Sequence, residues 1–201
     1  MSDLHACAEA ESRGEDVAAR VARLLNEGAD PHRTDADGNT AFNIAAANSP
    51  VTGRLMTNHW LKSALNGQGP KGLNDPSGSH GSTLAQYIAK WSADDEIEAQ
   101  IRDGLAGGLK IDTPNKSGWT PLSAAAMGRL KAVEVFARRY SRESLSLKTT
   151  EVYETSYNGH KVVYAAGLTA AELAAARLAQ DKGLSEEMKT ALAGCIRALA
   201  A

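Results

Sequence analysis

The sequence predicts a mainly all-α fold of about five helix-turn-helix units in a single domain over residues 1–201, with one extended β-hairpin inserted late in the chain. Three observations predict it. Aromatic residues make up only 5% of the chain while runs of three alanines recur, which favours helices packed through small side chains over a bulky aromatic core. A glycine followed two residues later by threonine begins four similar segments. An Asn-Gly pair joins two stretches rich in strand-forming residues.

The four similar segments each predict a turn that leads into a helix. Glycine tolerates the positive φ of a tight turn, and the threonine two residues later can cap the start of a helix. In one copy Pro121 follows the threonine, and proline suits the first helical turn because its missing N–H would have no partner there. The segments begin at Gly38, Gly81, Gly118 and Gly167.

A second helix is predicted to follow the first in each unit. Residues 130–140 carry apolar side chains at helical spacing, and residues 17–25 do the same near the N-terminus. Gly28 and Pro31 come shortly after the latter stretch, and both are stop signals for a helix. Each unit is therefore expected to be a pair of helices joined by a turn.

Three stretches resemble the ankyrin repeat family. Residues 118–126, Gly-Trp-Thr-Pro-Leu-Ser-Ala-Ala-Ala, are similar to the family's G-x-T-P-L-H-x-A-A motif, with Ser123 in place of histidine. Residues 24–30 resemble the L-L-x-x-G-A-D end of a repeat. Residues 4–8 resemble L-H-x-A-A in a truncated first repeat.

The resemblance implies a solenoid of stacked repeats with a continuous core and an extended concave surface for binding. Some repeats are degenerate, since Phe42, Ala85 and Ala171 stand where the family has leucine. The resemblance also implies that His5 makes structural hydrogen bonds to a neighbouring turn. The implied repeats lie near residues 3–34, 35–74, 75–113, 114–143 and 167–201.

Residues 147–165 do not fit the repeat and predict a β-hairpin insertion. Strands over 147–157 and 160–165 are joined by Asn158-Gly159, which favours a two-residue turn because both residues tolerate positive φ. Such a turn sets the strand register and places six side chains on one face. The expected pairs are Tyr157 with His160, Thr155 with Val162, and Tyr153 with Tyr164. We expect the hairpin to project from the repeats like a probe.

Side chains of the hairpin and of one repeat turn are the predicted partner-binding residues. Tyrosine and tryptophan offer a large contact area with a polar tip, which is why both are enriched at binding hot spots. The alternative is that one hairpin face lies on the adjacent repeat and buries its rings. Trp60 and Trp91 lie within predicted helices and are expected in the core. The predicted binding residues are Trp119, Tyr153, Tyr157, Asn158, His160 and Tyr164.

Charge and hydropathy argue against nucleic-acid and membrane partners. The 22 basic and 24 acidic residues give a formal net charge of -2, which does not suit a phosphate backbone. No stretch approaches the roughly 18 apolar residues of a membrane span, and the N-terminus lacks a signal-peptide pattern. Cys7 and Cys195 are expected to be buried thiols rather than a disulfide, as in a reducing compartment. We expect a cytoplasmic protein that is monomeric when unbound. Export by a route that needs no N-terminal signal, and the loss of a cleaved signal, are left open.

Nothing in the sequence predicts catalysis, a metal or a cofactor. The five histidines are scattered and lack the short spacings of metal ligands. The acidic run at residues 94–98 suits the positive end of a helix dipole, so we expect a solvated helix start there. A Gly- and Pro-rich stretch at residues 66–81 predicts a long surface loop, and the G-x-x-x-x-G-K-[ST] pattern of a phosphate-binding loop is missing from it.

These features favour a non-enzymatic protein-binding module that uses a concave face and the hairpin at residues 147–165. Among such proteins we favour an inhibitor, or an immunity protein that protects its own cell from an enzyme. A secreted bacterial effector that docks a host protein is the alternative within the binding class. The alternative from another class is an enzyme with a site in the 66–81 loop, where His59, His80 and acidic residues would converge.

Overall fold

The computed structural model describes residues 3–157 and 160–200, apart from the side chains of residues 46–48, 156, 157 and 160. The described chain is mainly helical, as predicted. Its tertiary contacts divide it into two compact units, Met1–Lys110 (unit 1) and Ile111–Ala201 (unit 2). No helix among the described residues is both long enough and apolar enough to cross a membrane.

Unit 1 contains three consecutive pairs of helices, and neighbouring pairs pack through α1 on α3 and through α4 on α5. The helix predicted over residues 17–25 is confirmed as α2, which is displaced by one residue. The solvated helix start expected at residues 94–98 is also confirmed. Helix α6 begins at Ile97, and the exposed Asp94 and Asp95 precede it. The helices are α1 Asp3–Ser12, α2 Ala18–Asn26, α3 Ala41–Asn48, α4 Pro50–Leu65, α5 Leu84–Trp91 and α6 Ile97–Ala106.

The core of unit 1 contains a stacked aromatic cluster, which the composition argument did not anticipate. The ring of Tyr87 lies 4.3 Å from Phe42 and 5.0 Å from Trp91, both nearly parallel to it. Trp60 and Trp91 are buried, as expected. A Cβ on Gly53 would lie 2.6 Å from the Trp91 ring, so glycine is what allows α4 to approach this ring closely. All four aromatic residues of unit 1 belong to this cluster.

Polar contacts tie the first helix pair of unit 1 to the second. The Nε2 atom of His5 lies 2.8 Å from the carbonyl oxygen of Asn39, which confirms the structural role expected of this histidine. The carboxylate of Glu11 accepts hydrogen bonds from the N–H groups of Val51 and Thr52, each at 2.8 Å. These two N–H groups belong to the first turn of α4 and have no partner within the helix, so Glu11 caps it.

Unit 2 contains short helices, one hairpin and a final pair of longer helices. The helix predicted over 130–140 ends at Ala137. The strand predicted over residues 147–157 is too long, since β1 begins only at Tyr153. The residues before Tyr153 form the base of the hairpin and do not pair with β2. The elements are α7 Pro121–Ala125, α8 Leu130–Ala137, α9 Arg142–Leu145, β1 Tyr153–Tyr157, β2 His160–Tyr164, α10 Ala170–Gln180 and α11 Glu186–Ala200.

The turn and cap expected at the start of each repeat-like segment are confirmed. All four glycines of the pattern have positive φ, as at Gly38, where φ is 80°. The threonine two residues later is the N-cap of the following helix in every copy. Its side-chain oxygen accepts the hydrogen bond of a backbone N–H at Thr40, Thr120 and Thr169. The pattern therefore predicted helix starts correctly because the capping interaction is local.

Both cysteines are buried and neither forms a disulfide. Burial raises the pKa of the Cys7 thiol, and it raises the pKa of Cys195 to about 11. At neutral pH both groups are therefore protonated thiols, which are poor nucleophiles. They serve the protein as small apolar side chains in the core of their respective units.

Candidate protein-binding surface

The turn before α7, residues 115–119 (the Trp119 turn), is built by one asparagine. The Oδ1 atom of Asn115 accepts hydrogen bonds from the N–H groups of Ser117 and Trp119, each at 3.0 Å. Asp35 makes the same two contacts in unit 1, to Asp37 at 3.0 Å and to Asn39 at 2.9 Å. A short side-chain acceptor at this position holds the turn rigid by replacing a backbone partner.

The base of the hairpin lies against the Trp119 turn. The N–H of Thr150 donates to the carbonyl oxygen of Ser117 at 3.0 Å, and the Ser117 hydroxyl donates to Glu151 Oε2 at 2.7 Å. Gly118 makes this approach possible, since a Cβ there would lie 2.7 Å from the Thr150 nitrogen. Two hydrogen bonds between Thr149 and the segment before α10 close the base, through Gly167 at 2.8 Å and Leu168 at 3.0 Å.

The strands of the hairpin pair in the predicted register. The antiparallel partners are Tyr157 with His160, Thr155 with Val162, and Tyr153 with Tyr164. The backbones of Tyr157 and His160 are therefore in the strands, while their side chains and all of Asn158 lie outside the described residues. Their predicted roles in binding stay predictions.

The face of the hairpin that carries Tyr153 and Tyr164 packs on the rest of unit 2, so the hairpin does not project freely as a probe. Val162 and Tyr164 form a buried cluster with Leu173 of α10, and Trp119 and Met127 pack against it. Tyr164 is only 1% exposed and offers almost no surface in this structure, so its predicted contact with a partner stays a prediction. The alternative, in which a hairpin face lies on the adjacent element and buries its rings, holds for this residue. An apolar strand face gains more by covering a helix than by meeting water.

Two of the predicted residues keep accessible surface at the margin of this packed face. Tyr153 is 39% exposed, and its ring meets the ring of Trp119 edge to face with centroids 5.4 Å apart. Trp119 is partly buried and also lies 5.8 Å from the Tyr164 ring. The buried Tyr164 thus fixes the positions of two more accessible rings, which lose little further freedom on binding.

The opposite face of the hairpin carries a residue that sequence reasoning did not single out. Val152 is 62% exposed at the start of β1, the highest exposure among the large apolar side chains of the described residues. Beside it, Lys161 Nζ lies 2.7 Å from Glu154 Oε2 across the two strands, and both side chains are exposed. Alternation of side chains along the strand predicts that Val152 lies on this face. Only the fold shows that no other described element covers it.

The outer edge of β2 is closed by a side chain of α10. The amide of Gln180 donates from Nε2 to the carbonyl oxygen of Val163 at 3.0 Å, and its Oε1 accepts from the N–H of Val163 at 3.1 Å. One glutamine therefore makes both hydrogen bonds that a neighbouring strand would make to this residue.

The 66–81 loop contacts a histidine other than the two expected there. His80 is exposed, and His59 lies 3.4 Å from Ser63 on its own helix. The histidine that meets the loop is His32, with Nδ1 2.7 Å from Ser77 Oγ. Ser77 is 3% exposed, and burial lowers the pKa of His32 to about 4. This contact fastens the loop to the core.

Two shallow depressions lie on the surface of unit 2. A depression of about 530 Å³ is lined by Leu130 of α8 and by residues of α11 that include Glu186 and Arg197. Another of about 290 Å³ lies between α9 and the start of α10, with Arg142 on its wall. Among the described residues no group of three or more histidine, cysteine, aspartate and glutamate side chains could hold a metal ion.

Comparison with known families agrees with the turn and helix pattern of unit 1. Residues 4–52, which contain α1, α2 and α3, match the family model of ankyrin repeats that occur in many copies. None of the curated proteins matches the chain. Ankyrin repeats generally mediate protein–protein interactions and are typically non-enzymatic. Residues 4–52 of this chain are therefore similar to ankyrin repeats.

Proposed function

We propose that this chain is a non-enzymatic protein that binds a protein partner through the hairpin region of unit 2. The observation that carries the proposal is the exposure of Val152 on the outward face of the hairpin and of Tyr153 at the margin of the face that is anchored in the core. Exposed apolar side chains held in fixed positions are typical of binding sites, because their burial is favourable and little freedom is lost. The tip residues Tyr157, Asn158 and His160 continue the same hairpin and belong to the proposed surface.

We also propose that the helix pairs beyond residue 52 are degenerate ankyrin repeats of one repeat domain over residues 1–201. The support is that their local geometry recurs. Asn115 builds its turn with the same contacts as Asp35, which lies within the matched residues. Thr120 and Thr169 cap their helices as Thr40 does. A concave repeat surface would then add to the contact with the partner.

For the partner we propose an enzyme that this chain inhibits, as an immunity protein would. A two-stranded hairpin anchored at its base is narrow enough to cover or enter an active-site cleft, and anchoring lowers the entropic cost of holding it there. The two free buried thiols suit a reducing compartment, so we propose that this interaction occurs in the cytoplasm. An enzymatic role for the 66–81 loop is not proposed, because Ser77 is buried beside His32.

The partner can be identified by capture from the native cell with the tagged full chain, followed by mass spectrometry. An enzyme whose activity falls on addition of the purified chain would support inhibition. A host protein captured from an infected cell would instead support the effector role. If the full chain captures no protein reproducibly, the binding proposal fails.

The surface can be tested with the captured partner. Tyr157→Ala combined with His160→Ala is expected to weaken binding by about 2–4 kcal/mol, the cost typical of hot-spot residues. The matched control is Lys62→Ala combined with Asn66→Ala, two exposed positions of unit 1, which should leave the affinity unchanged. Unchanged affinity of a folded hairpin variant would contradict the role of the tip.

A further inference from the structure

The outer edge of β1, the edge that faces away from β2, has backbone groups free to pair with another strand. In an antiparallel ladder, paired residues alternate between those that exchange hydrogen bonds and those that point them outward. Val163 gives both of its backbone groups to Gln180, so it points away from β1. Its partner Glu154 must then point its N–H and carbonyl away from β2. No hydrogen bond reaches these two groups from any other residue that the structure describes.

The same edge is already paired at its base by a segment of the chain. Thr150 donates its N–H to the carbonyl oxygen of Ser117 in the Trp119 turn, four residues before Glu154. This contact shows that extended backbone can approach the edge from that side. The Trp119 turn then leaves the edge, and Val152 and Glu154 are exposed beyond it. A further segment placed there would continue the pairing that the turn begins.

The usual protections of a strand edge are missing from β1. Natural sheets guard an edge with proline, lysine, a bulge or a covering element. The sequence of β1, Tyr-Glu-Thr-Ser-Tyr, contains neither proline nor lysine. Its one charged residue, Glu154, is neutralised by Lys161 across the strands at 2.7 Å. Gln180 covers the β2 edge at Val163, whereas no described residue covers the β1 edge at the matching Glu154.

The side chains beside this edge suit an apolar occupant. Four large apolar side chains of the described residues are exposed, and two of them, Val152 and Tyr153, are adjacent at the start of β1. Successive residues of a strand point to opposite faces, so an added strand would meet Val152 on one face and Tyr153 on the other. Apolar residues at matching positions of the occupant would cover both.

We propose that the outer edge of β1 binds an extended segment of the protein partner as an added strand, with apolar side chains placed against Val152 and Tyr153. The inference rests on the proposed function and specifies how the partner is recognised. Backbone hydrogen bonds to Glu154 supply affinity, and the two apolar contacts supply specificity, as in other cases of strand addition.

The backbone contact can be tested at Glu154 with two variants of the full chain. Glu154→Pro removes the outward N–H while leaving every ladder hydrogen bond, and proline is tolerated on the outward side of an edge strand. Glu154→Thr removes the carboxylate but keeps the N–H. Binding of the captured partner should fall at least about tenfold for Glu154→Pro and stay within about threefold for Glu154→Thr. Equal losses in both variants would overturn the inference.

Hydrogen exchange on the unaltered protein gives a second test that does not depend on the folding of a proline variant. The amide of Glu154 should exchange rapidly in the free protein and become protected when the captured partner is added, whereas Val163 should be protected in both states. A further experiment replaces the captured partner with a phage-displayed library of random linear peptides selected on the full chain. Selected peptides should carry two consecutive apolar residues, one for each face of the strand, and should protect the same amide.

The outcomes separate this inference from the proposed function. A partner that binds without protecting the Glu154 amide would keep the binding function and overturn strand addition. A library that yields no peptide dependent on the Glu154 N–H would also overturn it. Dimers that form through this edge in sedimentation experiments would assign the edge to a second copy of the chain, against the proposal. Failure of the full chain to capture any partner would count against the proposed function itself.

Discussion

Gln180 on α10 and Val163 on β2 are joined by two hydrogen bonds, at 3.0 and 3.1 Å, in which a side-chain amide takes the place of a neighbouring strand. This contact fixes the hairpin to the last helix pair of unit 2. It also covers the outward backbone groups of Val163, which as an already paired edge residue cannot accept a further strand.

Replacing this amide should loosen the hairpin. Gln180→Ala is expected to lower the free energy of unfolding by about 1–2 kcal/mol, because two hydrogen bonds are lost from a partly solvated edge. The amide of Val163 should then exchange faster with solvent, as followed by NMR. Gln68→Ala, which removes an exposed glutamine of unit 1, is the control and should change neither quantity. Slow exchange of Val163 in Gln180→Ala would contradict the structural role.

The two tyrosines paired across the hairpin should behave differently. Tyr164→Ala is expected to cost about 3–5 kcal/mol of stability, as for other buried aromatic side chains. Tyr153→Ala should cost only about 1 kcal/mol, from its contact with Trp119, and should weaken partner binding. Urea denaturation and titration with the captured partner measure the two effects.

The burial of Tyr164 also predicts how its hydroxyl affects binding. Tyr164→Phe should leave the affinity for the captured partner within about twofold, because a side chain with 1% exposure has no surface to offer. A large loss of affinity in a fully folded Tyr164→Phe variant would restore this residue to the binding surface.

Two glycines of unit 2 have the same backbone conformation but different surroundings. Gly118 and Gly167 have φ of 76° and 82°, and only at Gly118 would a Cβ meet neighbouring backbone. Gly167→Ala should cost roughly 1–2 kcal/mol from the left-handed conformation alone. Gly118→Ala should cost clearly more, since the Thr150 nitrogen would lie 2.7 Å from the new Cβ. Equal losses in urea denaturation would show that the hairpin base does not depend on this close approach.

The cap that Glu11 provides for α4 should contribute measurably to unit 1. Glu11→Ala is expected to cost about 2 kcal/mol, because two charge-assisted hydrogen bonds to helix N-terminal N–H groups are lost. Glu27→Ala removes an exposed carboxylate whose distance to Arg23 is 3.8 Å, and it should change stability by less than about 0.5 kcal/mol. Thermal unfolding of the two variants compares them directly, and similar midpoints would rule out a special role for Glu11.

Unit 1 should lose stability in mild acid because of His32. Burial lowers the pKa of His32 from 6.5 to about 4, so the unfolded chain takes up the proton first as the pH falls. The contribution of His32 to the free energy of unfolding is fully present above pH 6.5. It decreases as the pH falls from 6.5 to about 4 and does not change further below that. The expected loss is on the order of 3 kcal/mol.

Denaturation over this pH range, followed by tryptophan fluorescence, would measure the effect. His32→Asn should flatten the dependence of stability on pH, while burial also lowers the pKa of His59, which accounts for part of the slope that remains. His80→Asn is the control, because His80 is exposed, and it should leave the slope unchanged. An unaltered slope in His32→Asn would contradict the assignment.

Most of the local structure could be predicted from the sequence. The helix starts at Thr40, Thr120 and Thr169 followed from a glycine and a threonine at fixed spacing, because capping involves residues only a few positions apart. The register of β1 and β2 followed from a two-residue turn for the same reason. The aromatic cluster around Phe42 and Tyr87 was missed, since composition counts rings but does not place them.

The sequence by itself determined the class of fold, the positions of the turns and caps, and which hairpin side chains share a face, because each depends on short-range hydrogen bonds and fixed periodicity. Only the tertiary structure decided which face is covered. Packing against Leu173 buried Tyr164 and left Tyr153 at the margin, and Gln180 covered the β2 edge at Val163 while the matching Glu154 on β1 stayed open. Alternation along a strand divides its side chains into two sets, but the choice between core and partner depends on elements distant in the chain.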